Sequence, residues 1–82
     1  GEIVLPDTIA AGKMIRAELK APGLDLSRSR VIWERSGAEP VVQANQAAVT
    51  FVPSLKGRQW IEAEARLPDG RRIMAAREFV VR

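Results

Sequence analysis

The sequence contains no cysteine, no histidine and no tyrosine, and its aromatic residues are two tryptophans and two phenylalanines in 82 positions. Each absence removes a class of chemistry. Without cysteine no disulfide staples the fold and no thiolate is available as nucleophile or metal ligand. The same composition suits many bacterial secreted domains and leaves the compartment open. Without histidine, Ser27, Ser29, Ser36 and Ser54 have no imidazole to activate them, and a histidine-based metal site is excluded. The six glycines stand singly at turns, so no phosphate-cradling loop is present. No apolar run approaches the ~18 residues of a membrane-spanning helix. No cofactor and no membrane insertion are therefore expected. The opening Gly1-Glu2-Ile3-Val4-Leu5-Pro6 lacks the basic and cleavage regions of a signal peptide. Gly1 reads as a tag remnant on a segment excised from a longer protein.

What is present fits one domain spanning residues 1–82. Apolar residues make up 46% of the chain, enough for a continuous core. Thirteen lysines and arginines against ten acids give a net charge of +3. The basic residues Lys13, Arg16, Arg28, Arg30, Arg58, Arg71 and Arg72 are dispersed among carboxylates. That pattern describes a solvated mixed-charge surface rather than the basic face of a nucleic-acid binder, so no nucleic-acid partner is expected.

Short alternating segments separated by turn residues predict strands. Residues 2–5 read as an edge strand stopped by Pro6-Asp7. In residues 13–20, Ile15, Ala17 and Leu19 share one face and Arg16, Glu18 and Lys20 the other. Val31-Ile32-Trp33-Glu34 places Val31 and Trp33 inward, and Ser36-Gly37 closes it. Residues 38–48 read as either strand or loop, with Val41-Val42 suggesting a short strand. Val49-Thr50-Phe51-Val52 is a strand with Val49 and Phe51 inward, and Ser54 to Gly57 a turn. The clearest signal is a hairpin. Ile61, Ala63, Ala65 and Leu67 alternate with Trp60, Glu62, Glu64 and Arg66. Pro68-Asp69-Gly70 then reverses the chain, and Ile73, Ala75, Phe79 and Val81 share one parity on the return. Helix formers between Glu62 and Met74 offer a rival reading that Pro68-Asp69-Gly70 and the alternation oppose. Arg77 has the parity of the inward residues. A β-bulge at Arg77 is expected to expose it, the alternative being a stem that snorkels at the rim.

Six or seven short strands at spacings of about ten residues imply an all-β sandwich with Greek-key connections. Val31-Ile32-Trp33-Glu34, then Gly37, Thr50-Phe51, Gly57 before a long strand, Asp69-Gly70 and Phe79-Val80-Val81 together resemble PKD-type and related bacterial immunoglobulin-like domains. The resemblance spans roughly residues 13–82. The chain departs from the PKD pattern with Glu34 in place of Asp and Ser36-Gly37-Ala38-Glu39 in place of a Gly-Asp-Gly turn. The broader resemblance implies an immunoglobulin-like β-sandwich of about seven antiparallel strands. It also implies a non-enzymatic accessory module, a spacer or protein-docking domain of a larger extracytoplasmic (secreted or cell-surface) protein, whose partners are the neighbouring domains of its parent. A carbohydrate-binding module on a polysaccharide-degrading enzyme is the alternative, with polysaccharide as partner.

Four residues on one strand face are the candidate contact site: Trp60, Glu62, Glu64 and Arg66. An exposed aromatic at Trp60 can stack on a sugar or anchor a protein contact, whereas Trp33 reads as core. Glu62 and Glu64 could serve as an acid–base pair, but cross-strand pairing with Arg71 or Arg72 is the expectation. Asp7, Asp25 and Asp69 are loop carboxylates of the kind that bind calcium, yet they do not cluster in sequence, and no metal is expected.

Overall fold

A computed structural model describes residues 1–37, 41–44 and 47–82, residues 41–44 by their backbone. It is all-β among these residues, with eight strands in two sheets. They are β1 (Glu2–Val4), β2 (Thr8–Ile9), β3 (Ile15–Lys20), β4 (Arg30–Arg35), β5 (Val41–Ala44), β6 (Ala48–Phe51), β7 (Gly57–Arg66) and β8 (Arg72–Val81). One sheet has the order β1-β3-β6 and the other β2-β8-β7-β4-β5. The chain changes sheet at Pro6, between β2 and β3, between β3 and β4, between β5 and β6, and between β6 and β7.

Period-two patterning explains which faces meet. Ile3, Ala17, Leu19 and Phe51 of the smaller sheet, with Leu5 beside them, form one buried cluster with Ile9, Val31, Trp33, Ile61, Ala63, Ala65, Phe79 and Val81 of the larger. Phe51 and Phe79 meet across the gap in a tilted pair, ring centroids 6.0 Å apart, and the Arg35 guanidinium caps Phe51 at 4.6 Å. Val31, Trp33 and the inward residues of β7 lie where alternation puts them. Val49 is half-buried against the cluster. The indole Nε1 of Trp33 is buried with no hydrogen-bond partner among the described residues.

The β7–β8 hairpin is continuous from Gly57↔Val81 to Arg66↔Arg72. Its turn is a three-residue loop in which Gly70 N–H donates to Leu67 O at 3.0 Å and Leu67 N–H to Arg71 O at 2.9 Å. Gly70 has φ +92°, the positive value that this turn demands and that residues with a Cβ resist.

Three expectations change. No bulge interrupts β8 at Arg77, which pairs in register with Ile61. Its guanidinium instead reaches the rim beneath β1, ion-paired with Asp7 and donating to Ile3 O at 3.3 Å. A long stem makes the bulge unnecessary. The second change is β2, a strand of two residues that pairs parallel with β8 through Thr8↔Val80 and Ile9↔Val81. Two residues are too few to display alternation, and the chain passes Pro6 without reversing, so the arrangement is not wholly antiparallel. Third, the uncertain stretch contains β5, paired with β4 through Ile32↔Val42, and the start of β6. Residues 38–40 and 45–46 of that stretch lie outside the described residues.

Candidate functional site

The outer face of the larger sheet carries the four candidate residues. Antiparallel pairing sets side chains in rows across the strands, and the registers define five. Arg30, Arg66 and Arg72 form the first, Ile32, Glu64 and Met74 the second, and Glu34, Glu62 and Ala76 the third. Trp60 faces Glu78 in the fourth, and Arg58, Val80 and Thr8 make the fifth.

Trp60 is 42% exposed and borders an open depression of about 380 Å³ with Glu62, Ala76 and Glu78. Its backbone is clamped. Trp60 N–H donates to Ser36 Oγ at 3.1 Å, and Ser36 N–H donates to Trp60 O at 3.1 Å. The hydroxyl donates in turn to Gln59 Oε1, whose amide holds Leu55 O at 3.2 Å. Ser36 thereby extends the β4–β7 ladder one residue beyond Arg35↔Ile61, its hydroxyl standing in for a carbonyl.

Glu64 sits lower, half-buried, with Arg66 Nε at 3.6 Å and Arg72 Nε at 3.8 Å. The expected cross-strand pairing therefore holds for Arg72. Arg71 turns instead to the adjacent Asp69, 2.7 Å away. Glu62 has no ion-pair partner among the described residues and lies directly across from Glu34, like charge facing like charge. The structure thus brings Trp60 and Glu62 into one depression and joins Glu64 to Arg66. Trp60 and Arg66 are six strand residues apart, about 20 Å at ~3.4 Å per residue. A smaller groove between Ile32, Glu34, Glu62, Glu64 and Met74 separates the two ends. Sequence reasoning missed Arg30, Glu34 and Met74 as members of this face. The turn at Pro68 to Gly70 contained the signal for Arg72, since it sets Arg66 opposite Arg72, but nothing local signals Arg30.

The loop carboxylates are engaged separately. Asp7 pairs with Arg77. The Ser27 hydroxyl and backbone amide hold Asp25 below the usual carboxylate range. The Arg71 backbone amide, at 3.0 Å, and then its guanidinium do the same for Asp69. On the smaller sheet, Arg16 at 2.7 Å and the more distant Lys20 lower Glu18. Among the described residues no three acidic side chains gather closely enough to hold a metal ion, and no helix is long and apolar enough to cross a membrane.

No family model matches the chain, and no curated protein is similar to it by sequence.

Proposed function

We propose that the chain is an immunoglobulin-like sandwich serving as a non-catalytic accessory module, a spacer or protein-docking domain of a larger secreted or cell-surface bacterial protein. The strand order supports the fold half of this reading. Strands β1, β3 and β6 opposite β8, β7, β4 and β5 correspond to A, B and E opposite G, F, C and C′ of immunoglobulin-like sandwiches. The observation that carries the functional half is how the polar groups are engaged. Ser36 clamps a strand end, Asp69 orders a turn, Asp7 anchors Arg77, and Glu64 joins two arginines. These are structural tasks, and each leaves its group committed rather than poised for proton transfer.

Two measurements test this. The gene sequence on either side of these codons is expected to encode, in frame, a signal peptide and further domains. A start codon and a stop codon immediately flanking the segment would overturn the accessory reading. The exposure of Trp60 favours carbohydrate binding as the second reading. A glycan array with wild type and Trp60→Ala separates the two. A flat response supports spacing or docking, and a signal lost in a still-folded Trp60→Ala supports sugar stacking.

A further inference from the structure

We propose that the outer face of the larger sheet is a self-complementary docking surface whose occupant is a second copy of this chain. The argument goes beyond the accessory reading and rests on charge placement. Two registrations on this face are unfavourable in the isolated chain. Arg66 lies directly across from Arg30 on one side and Arg72 on the other, and Glu34 lies directly across from Glu62. Like charges directly opposed across strands destabilise a sheet. Glu64 offsets part of the arginine row by contacting Arg66 and Arg72. Arg30 has no ion-pair partner among the described residues, and neither do Glu34 and Glu62.

The two rows are equidistant from the row of Ile32, Glu64 and Met74, one on each side. A two-fold axis lying along that middle row, parallel to the sheet, maps each row onto the other. Strand β7 then faces β7 and β4 faces β4. Arg66 meets the copy's Glu62, Arg30 meets the copy's Glu34, and the symmetry repeats both contacts. Four oppositely charged pairs across the axis then offset the like-charge conflicts of the two copies. The middle row supplies the apolar centre, with Ile32 half-buried and Met74 70% exposed. Trp60 comes over the copy's Pro68. Glu64 would face its equivalent, and each is already neutralised from its own side by Arg66 and Arg72.

Charge decides the occupant. The three rows hold three arginines and three glutamates, so the face is neutral overall and segregated. A uniformly anionic ligand would satisfy the arginine row and be repelled by the glutamate row, and a cationic one the reverse. A copy satisfies both, as an isologous contact requires. Facing sheets pack about 10 Å apart, a gap that paired arginine and glutamate side chains bridge. Two strands of ten residues, one of six and one of four offer on the order of 500 Å² per copy. A standard interface uses about 800 Å² per partner, so the association is weak and concentration-dependent.

Sedimentation of the chain from about 10 µM to about 1 mM tests the proposal, with charge swaps as the specific probe. Glu62→Arg removes the Glu34–Glu62 conflict within the chain, so folding tolerates it, yet it sets arginine against the copy's Arg66. It is expected to weaken the dimer at least about tenfold, as is Arg66→Glu. The double variant Glu62→Arg with Arg66→Glu restores opposite charges across the axis and is expected to recover the wild-type constant. Raising salt weakens the wild-type dimer. Thermal melts of each variant confirm folding. A chain monomeric at about 1 mM overturns the proposal. So does a dimer indifferent to the single swaps, or one the double swap does not rescue. Binding of polyglutamate by a monomeric chain would overturn it in favour of an acidic partner for the arginine row.

Discussion

Arg77 shows how one residue reconciles a charged side chain with a half-buried position on the inward parity of its strand. Its side chain is 28% exposed, whereas that of its partner Asp7 is 91% exposed. An ion pair with so solvated a partner contributes at most about 1 kcal/mol. The hydrogen bond to Ile3 O and the packed aliphatic stem add to what Arg77 alone provides. Asp7→Ala is therefore expected to cost about 0–1 kcal/mol and Arg77→Ala about 1–3 kcal/mol, read from urea midpoints. Equal losses would show that the ion pair alone matters. The parity of Arg77 was legible in the sequence, but its partners were not, because Asp7 and Ile3 lie some 70 positions earlier and meet it only through the crossing at Pro6. Trp33 and Trp60 were both legible from parity alone. The clamp under Trp60 was not, since Ser36 reads locally as a turn residue.

At the scale of elements, the hairpin was the most legible part because its turn chemistry and its alternation agree. Gly70 is the point where that agreement can be tested. A Cβ there would meet nothing within 4 Å, so any cost of substitution is conformational rather than steric contact. Gly70→Ala is expected to destabilise by about 1–2 kcal/mol, the penalty of a left-handed backbone for a residue with a Cβ. Gly70→Asn is expected to lose less, because asparagine tolerates positive φ. A neutral Gly70→Ala in thermal melts would mean that the turn relaxes to another form. Strand β2 escaped detection for the opposite reason, being too short for any pattern. The rows across β4, β7 and β8 were hidden too. Each strand shows interleaved charges along its length, and like charges line up only once register is set.

Across the whole molecule, the lowered carboxylates define the acid response. Glu18, held down first by Arg16, Asp25 by Ser27 and Asp69 by the Arg71 amide all favour the charged form in the fold. Their contribution is complete above the ordinary values of 4.5 for Glu18 and 3.8 for the two aspartates, and it is lost as pH falls through the lower folded-state values. Urea midpoints are expected to decline on acidification through that window, less steeply in Asp69→Asn and at high salt, since all three groups are solvated. A midpoint that rises on acidification would contradict the assignment. A different consequence follows from the parallel pairing of β2 with β8. Val80 N–H donates to Asp7 O, Arg82 N–H to Ile9 O and Ala11 N–H to Arg82 O. These bonds join the first and last parts of the chain, and the two strands run in the same direction. Tension that pulls the two ends of the chain apart loads all three bonds together in shear instead of peeling them one at a time, so the parallel seam acts as a mechanical latch.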